Sequence, residues 1–388
     1  MNKAIPYGKQ SISKDDIQAV VAVLESNWLT QGPCIERFEQ AVAEYCGVKH
    51  AVAVNSATSA LHIACLAAGL GSGDTLWTSP NTFVASANCA LYCGAKVDFV
   101  DIDPQTYNLS VDELERKLHL AHKAGNLPTV VIPVHFAGQP CEMERIAELS
   151  KEFEFTVIED ASHAIGGRHQ STKIGSCTFS AMTILSFHPV KIITTGEGGM
   201  VLTNDTALYN KLLRLRSHGI TRDPTLMTGA SHGPWYYQQI ELGFNYRMTD
   251  MQAALGASQL QRLDEFVERR HYLAARYNEA LRHLPLKLPW QQEDAYSAFH
   301  LFVIRLKLDG ISKTHREVFE ALREQGILVN LHYIPVYTQP YYQELGFKPG
   351  SFLEAEKYYA EAISLPMYFD LTEDDQDRVI TALRDLLR

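Results

Sequence analysis

Short apolar runs alternate with helix-periodic stretches through the first two thirds of the chain. The runs are rich in Val and Ile and lack polar alternation, which is typical of strands buried on both faces of a parallel sheet. The predicted strands are 50–56, 74–79, 96–103, 128–138 and 155–160, and the predicted helices are 58–69, 82–94, 110–121 (after Ser110 as N-cap) and 142–153. This order predicts an α/β fold in which helices cover both faces of a mostly parallel sheet.

The pattern changes after the fifth of these strands. Two further strands, 178–187 and 198–204, are predicted to lie side by side, joined by a lysine-containing turn. Residues 219–240 lack periodicity and exceed the length of an ordinary connection, which indicates a lid or an interface loop. One long helix is predicted over 249–281, beginning after Thr249 as N-cap.

The C-terminal third of the chain predicts a smaller α+β unit. Its patterned segments are 299–306, 314–326, 354–366 and 372–388. A chain of 388 residues usually forms more than one domain, so we divide it into a large domain, 1–255, and a small domain, 256–388.

Composition and charge exclude several classes of function. The net charge is −10 and no basic stripe is present, so a nucleic-acid partner is not expected. No apolar run approaches the ~18 residues of a membrane span, and the N-terminus lacks the apolar region of a signal peptide. Seven cysteines are scattered without a Cys-x-x-Cys pair, so we expect reduced thiols, no metal site and a cytoplasmic protein.

Three motifs fall at the ends of predicted strands, where open α/β sheets bind ligands. The first is NSATSA, residues 55–60. Ser56, Thr58 and Ser59 surround a predicted helix N-terminus, whose free N–H groups suit a phosphate monoester. Simple N-capping is the alternative. The motif has no Gly-Lys-Ser, so nucleotide hydrolysis is not expected.

The second motif is IEDASHAIGG, residues 158–167. Glu159 and Asp160 end a predicted strand, and a carboxylate at that position can pair with a protonated ring nitrogen. His163, three residues later, can bond a neighbouring polar group. The alternative is a strand-end aspartate that caps the next turn.

The third motif is SFHPVKIITTGEGG, residues 186–199. A lysine that forms a Schiff base must be held in one place and must have a lowered amine pKa. Pro189 stiffens the approach to Lys191, and the three glycines that follow permit a tight exit. Ser186, five residues before the lysine, could bind a phosphate. A surface lysine in a hairpin is the alternative.

The three motifs together match the needs of pyridoxal 5′-phosphate. Its phosphate must be fixed, its pyridine nitrogen needs a carboxylate to stay protonated, and its aldehyde needs an amine. Phe83, at the head of a predicted helix, could stack on the ring or pack in the core. We therefore expect pyridoxal 5′-phosphate as the cofactor.

From about Tyr7 to the C-terminus, the chain resembles the DegT–StrS group of nucleotide-sugar aminotransferases, which are fold-type I pyridoxal-phosphate enzymes. The segments that carry the resemblance are NWLTQGP, NSATSALHIA, TFVASANCALYCGA, EDASHAIGG, SFHPVKIITTGEGG, RSHG and GFNYRMTDMQAALGASQL. The resemblance implies a large three-layer αβα domain and a smaller C-terminal α+β domain. Within the group, NTFVASAN, SHAIGG and LHYIPVY most resemble the branch that acts in pseudaminic acid synthesis.

Roles for individual residues are implied by this resemblance. Lys191 would condense with the cofactor aldehyde and shuttle the proton, Asp160 would pair with the pyridine nitrogen, and His163 would lie near the ring hydroxyl. Phe83 would stack on the ring. The residues implied to hold the phosphate are Ala57, Thr58, Ser186 and, from a partner subunit, Asn245. That last assignment implies a homodimer with shared active sites.

The resemblance also suggests a sugar site, although each of its candidates could equally be structural. They are Tyr7, Trp28, Thr30, His218, His332 and Tyr333, with the Tyr236–Tyr237 segment beside them. Some members of the group carry histidine in place of the lysine and perform dehydration, so Lys191 indicates transamination.

The implied reaction moves the amino group of L-glutamate to a UDP-linked 4-keto sugar of the pseudaminic acid pathway, with a flagellin or cell-surface sugar as the destination. One alternative is a different nucleotide-linked 4-keto sugar, such as a precursor of perosamine, 4-amino-arabinose or bacillosamine. Another is a non-catalytic regulator that binds the cofactor.

Overall fold

The computed structural model describes residues 4–387. Thirteen α-helices lie within this range, together with short 3₁₀ turns. The helices are α1 (Lys14–Leu24), α2 (Pro33–Cys46), α3 (Ala57–Ala67), α4 (Ala85–Tyr92), α5 (Val111–Ala124), α6 (Met143–Phe153), α7 (Thr206–Arg216), α8 (Asp250–Leu260), α9 (Leu263–Leu281), α10 (His315–Glu324), α11 (Pro340–Glu344), α12 (Leu353–Glu361) and α13 (Glu373–Leu386).

Seventeen β-strands lie among the same described residues, and several are only two residues long. They are β1 (Ile5–Pro6), β2 (His50–Val54), β3 (Thr75–Thr78), β4 (Lys96–Phe99), β5 (Val130–Ile132), β6 (Thr156–Asp160), β7 (Arg168–His169), β8 (Thr172–Lys173), β9 (Met182–Ser186), β10 (Gly199–Thr203), β11 (Ile220–Thr221), β12 (Gln238–Gln239), β13 (Leu286–Lys287), β14 (Ala295–Tyr296), β15 (Phe302–Leu306), β16 (Ile327–Leu328) and β17 (Ala362–Leu365).

A seven-stranded sheet forms the centre of the large part of the molecule, in the order β2-β10-β9-β6-β5-β3-β4. Its neighbouring strands are parallel except at β10, which runs antiparallel to both β2 and β9. The sequence predicted a mostly parallel sheet and adjacent strands on either side of the lysine turn. Both predictions are confirmed.

Alternate residues of β2 contact different helical layers, as the two-residue period of a strand requires. Val52 and Val54 belong to the core formed with α3, α4 and α7, whereas Ala51 and Ala53 belong to the core formed with α2, α8 and the start of α9. A further core, with α5 and α6, packs beneath β5 and β6. The expected three-layer αβα architecture is therefore confirmed.

The single helix predicted over 249–281 is wrong, because two helices, α8 and α9, meet at residues 261–262. Arg262 leaves the helical conformation there, and its guanidinium bonds the buried Asp16 carboxylate at 2.8 Å. Hydrophobic periodicity continues through this break, which explains why the pattern did not show it. The predicted N-cap, Thr249, is confirmed and forms a capping box with Gln252.

The C-terminal part contains a three-stranded antiparallel sheet, β13-β15-β17, whose core includes residues of α9, α10 and α13. Strand β1 pairs in parallel with β16, so the start of the chain is tied to this part. The last residue of the patterned segment 372–388 lies outside the described residues. The predicted boundary between residues 255 and 256 falls inside α8, and the two-domain division stays a prediction. Among residues 4–387, no helix is long and apolar enough to cross a membrane.

Candidate active site

A cavity of about 980 Å³ opens where the carboxyl ends of β6 and β9 meet residues of the C-terminal part. This is the edge at which open α/β sheets bind ligands. The predicted site residues that line it are Tyr7, Ala57, Thr58, Phe83, Asp160, His163, Ser186, Lys191, His332 and Tyr333. The structure therefore brings together ten residues that are scattered over more than 320 positions of the sequence.

At one end of the cavity, the N-terminus of α3 is only partly capped. Ser56 Oγ accepts from the Ser59 amide at 3.1 Å, which satisfies the third amide of the helix. The amides of Ala57 and Thr58 find no acceptor among the described residues. Ser186 Oγ, buried at the end of β9, also has no hydrogen bond within the described range. N-capping and phosphate binding are therefore compatible, because different residues serve them.

Glycine is needed where β10 passes this helix start. A Cβ on Gly199 would lie 2.5 Å from the Ala57 nitrogen, closer than any side chain tolerates. A Cβ on Gly198 would lie 2.2 Å from Thr195 Oγ1. The glycines after the lysine turn thus allow β10 to bring that turn against the helix N-terminus.

Lys191 sits in a turn whose backbone is held at several points. Its amide donates to the His188 carbonyl at 2.9 Å. The Phe187 carbonyl accepts from the Thr195 amide at 3.0 Å and from the Thr194 hydroxyl at 2.9 Å. The side chain keeps some contact with solvent through the cavity, yet its amine is surrounded by protein. Desolvation lowers the pKa of Lys191 to about 8, although the Asp160 charge opposes the shift.

Asp160 is buried at the end of β6 and is held by hydrogen bonds on both oxygens. Ser86 Oγ donates to Oδ2 at 2.7 Å, and the Ser162 amide donates to Oδ1 at 3.1 Å. Thr82 Oγ1 lies 2.8 Å from Ser86 Oγ, so a pair of hydroxyls at the head of α4 orients the carboxylate. The sequence analysis missed this pair, although its four-residue spacing at a helix start was a usable signal.

Phe83 lies in the cavity wall rather than in a core. The residue is 57% exposed, and its ring centroid is 6.2 Å from that of Tyr333. Core packing, the alternative that the sequence left open, is therefore excluded for this residue. An exposed ring at the mouth of a polar cavity is suited to stacking on a flat heterocycle.

The wall contributed by the C-terminal part is rich in neutral rings. His332 Nδ1 lies 2.8 Å from Ser364 Oγ, and burial lowers the pKa of His332 to about 3. The Tyr7 ring lies 5.1 Å from that of His332, and desolvation raises the pKa of Tyr7. These groups therefore present hydrogen bonds and apolar surface rather than charge.

His300 also lines the cavity, and the sequence analysis did not single it out. It is only 3% exposed, and burial holds its pKa well below the usual value. Its ring centroid lies 4.4 Å from that of His163. The signal was present, because His300 interrupts the apolar residues at the start of the patterned segment 299–306.

Four predicted residues do not line the cavity of their own chain. They are Trp28, Thr30, His218 and Asn245, and all four are exposed. The assignment of Trp28, Thr30 and His218 to the sugar site therefore stays a prediction, and within one chain they lie away from the cavity. Asn245 forms an isolated antiparallel β-bridge with Ser217 at the surface, and its assignment to a partner's phosphate site stays a prediction.

The residues present fit pyridoxal phosphate. Unpaired amides and hydroxyls suit the phosphate, the oriented Asp160 suits a protonated ring nitrogen, and Lys191 offers an amine of lowered pKa. Phe83 provides an aromatic face. Among residues 4–387, no group of three or more His, Cys, Asp or Glu side chains is arranged to hold a metal ion.

Residues 10–384 match the DegT/DnrJ/EryC1/StrS aminotransferase family, so the chain belongs to that family. It is 40% identical over 390 aligned positions to the spore coat polysaccharide biosynthesis protein SpsC of Bacillus subtilis, covering 100% of this chain and 98% of that protein. Membership establishes the chain as a sugar aminotransferase.

Solved structures agree with this assignment. Helicobacter pylori PseC, an aminotransferase involved in the biosynthesis of pseudoaminic acid, superposes with a TM-score of 0.90 at 31% identity, covering 99% of each chain. The PLP form of Spr1654, a putative sugar aminotransferase from Streptococcus pneumoniae, superposes with a TM-score of 0.88 at 26% identity over 99% of this chain and 100% of that one. The cofactor of this enzyme is pyridoxal 5′-phosphate, as the sequence predicted.

Proposed function

We propose that this family member moves the amino group of L-glutamate to the 4-keto carbon of UDP-2-acetamido-2,6-dideoxy-β-L-arabino-hex-4-ulose. The products are UDP-4-amino-4,6-dideoxy-N-acetyl-β-L-altrosamine and 2-oxoglutarate. The reaction would be a step of pseudaminic acid synthesis and would supply a sugar for flagellin glycosylation. The observation that carries the proposal is the similarity to PseC over nearly the whole of both chains.

The reacting groups of the chain would be an amine and a carboxylate on the same wall. Bound pyridoxal phosphate supplies an electron sink that lets an amino group and a proton be exchanged. Because its pKa is about 8, Lys191 is unprotonated roughly 300-fold more often at neutral pH than an ordinary lysine. Its Nζ can therefore attack a carbonyl and then carry a proton. Asp160 would keep the ring nitrogen positive.

The opposite wall would receive the sugar. At about 980 Å³ the cavity exceeds what the cofactor alone needs, and is of the size that holds drug-sized ligands. Tyr7, Asn330, His332 and Tyr333 line that side. Neutral imidazole, amide and phenol groups suit the hydroxyl and acetamido groups of a hexose, since each can donate a hydrogen bond without a charge.

The enzyme would work as a homodimer whose sites include a residue of the partner chain. Exposed Asn245 matches the residue that the family resemblance assigns to the partner's phosphate site. Large apolar side chains are exposed nearby in sequence, including Trp235 at 72% and Leu242 at 77%, and such surfaces mark protein interfaces. We place the reaction in the cytoplasm, with which seven unpaired cysteines are consistent.

Complementation between two inactive variants tests the shared site. Lys191→Ala and Asn245→Ala chains are unfolded, mixed, refolded and assayed at a cofactor concentration too low to activate the Asn245→Ala dimer alone. Hybrid dimers then contain one site with both residues intact, so activity should recover to about a quarter of the native value. No recovery, with dimers present by light scattering, would contradict a shared site.

A different nucleotide-linked 4-keto sugar is the second candidate, and the 40% identity to SpsC favours it. That relative is named for spore coat polysaccharide biosynthesis, so the family similarity reaches beyond one pathway. Precursors of perosamine, 4-amino-arabinose and bacillosamine are the sugars to compare.

A substrate panel separates the candidates. The holoenzyme is incubated with L-glutamate and, in turn, each UDP- and dTDP-linked 4-keto sugar, and the amino sugar is measured by mass spectrometry. We expect the β-L-arabino substrate to give the highest kcat/KM. A higher value for another sugar would favour the second candidate, and a cofactor absorbance that glutamate does not bleach would favour a non-catalytic regulator.

A further inference from the structure

Both ring nitrogens of His163 have protein partners. The Ala137 amide donates to Nδ1 at 3.3 Å, so Nδ1 carries a lone pair. A neutral imidazole then carries its proton on Nε2, which lies 3.1 Å from Tyr333 Oη. His163 therefore donates to Tyr333.

The surroundings hold this arrangement in place. Ala137 has a φ of 57°, a conformation uncommon for alanine, and lies within the short turn Phe136–Gly138. His300 packs on the other side of the imidazole, with centroids 4.4 Å apart. Burial and the nearby Lys191 charge lower the pKa of His163 well below its usual value, so the ring is neutral.

Tyr333 is left with one unused proton. Its oxygen accepts from His163, and no acceptor for its own O–H lies among the described residues. Burial raises the pKa of this phenol, so the proton stays on it. Tyr333 lines the cavity, so its hydroxyl proton is free to be donated to a molecule bound there.

We propose that His163 is a positioning residue whose tautomer, set by the Ala137 amide, fixes the Tyr333 hydroxyl as a hydrogen-bond donor to an electron-rich oxygen of the bound molecules. That oxygen is either the ring phenolate of the cofactor or the keto oxygen of the sugar. The inference deepens the proposed function and rests on it for the identity of the sugar.

Substitutions of His163 can keep or reverse the direction of the hydrogen bond between residue 163 and Tyr333. In His163→Gln, the amide oxygen can accept from Ala137 and the amide nitrogen can donate to Tyr333, so the direction is kept. In His163→Glu, a carboxylate can only accept, so the Tyr333 proton is drawn away from the cavity. Tyr333→Phe removes the donor, and Tyr342→Phe, which loses a buried hydroxyl bonded to Asn88 outside the cavity, is the control.

Two measurements are made on each holoenzyme variant. The first is the absorbance of bound pyridoxal phosphate without sugar, and the second is the rate of each half-reaction. Tyr333→Phe and His163→Glu should each lower at least one half-reaction by roughly 10- to 100-fold, the value of a hydrogen bond to a charged acceptor. His163→Gln should recover most of that loss, and His163→Glu should add little in the Tyr333→Phe background. A changed absorbance assigns the acceptor to the cofactor, and a loss confined to the sugar half-reaction assigns it to the keto oxygen.

The proposal would be overturned if Tyr333→Phe and the Tyr342→Phe control had the same cofactor absorbance and the same half-reaction rates. Equal losses in His163→Gln and His163→Glu would do so as well. Nitrogen-15 NMR of histidine-labelled protein without cofactor gives an answer that needs no substrate. Protonation of His163 at Nε2 is expected. Protonation at Nδ1 would overturn the proposed role of His163 even if the proposed reaction proves correct.

Discussion

The two walls of the cavity are built in different ways. The cofactor wall is made of strand ends in one sheet, where Gly199 of β10 is paired with both Val54 of β2 and Ser186 of β9. The opposite wall is made of segments that belong to no strand of that sheet. It is held by a backbone bridge between Asn330 and Ser364 and by side-chain bonds such as the 2.8 Å contact between His332 and Ser364.

This difference separates two tasks. Backbone hydrogen bonds of the sheet fix the positions of the groups that perform the chemistry, and a change there should affect every substrate. The opposite wall presents side chains that the sheet does not fix, so a change at a residue such as Asn330 should affect the sugar and leave the cofactor in place. Substitutions on each wall can therefore test whether the two walls have separate tasks.

The largest effect is expected from Lys191→Ala. Loss of the amine removes both the nucleophile and the proton carrier, so turnover should fall by roughly 10³-fold or more. Half-reaction rates and the thermal midpoint are measured beside Lys211→Ala, which removes a lysine that bonds the Ala67 carbonyl on the surface. Near-native turnover by the Lys191 variant would remove it from the mechanism.

Asp160→Asn should have the next largest effect. An amide keeps the shape of the carboxylate but cannot hold a ring nitrogen positive, so the glutamate half-reaction should slow by roughly 10²-fold. Asp98→Asn, at the far edge of the sheet, is a control that also removes one charge. If both variants react at the native rate, the charge of Asp160 has no role in the chemistry.

Smaller effects are expected at the phosphate end. Ser186→Ala removes a hydroxyl with no described protein partner, so cofactor affinity should fall about 10-fold with little change in thermal stability. Asn330→Ala, on the opposite wall, should raise KM for the sugar and leave cofactor affinity unchanged. Equal effects of the two variants on cofactor affinity would erase the distinction between the walls.

The smallest effect is a pH dependence. Only the unprotonated amine attacks an aldehyde, and the pKa of Lys191 is about 8. Capture of pyridoxal phosphate by cofactor-free enzyme should therefore accelerate from about pH 7 through pH 8 and level off by about pH 9, as stopped-flow absorbance would show. A rate that still rises steeply toward pH 10 would indicate an ordinary lysine.

The same contrast explains how much the sequence could predict. The residues of the cofactor wall lie in short motifs at strand ends, and the pattern of strands identified those ends. His300 and the Thr82–Ser86 pair were missed, because their roles depend on which segments the fold brings together. Trp28 and His218 were assigned from the resemblance, and a single chain places neither at the cavity.

The most direct test of the central claim is reductive trapping. The holoenzyme is treated with borohydride, digested, and mapped by mass spectrometry for the lysine that carries the reduced cofactor. One stoichiometric tag is expected on Lys191, and none in Lys191→Ala. A tag on another lysine, or no covalent tag in a protein that still transaminates, would contradict it.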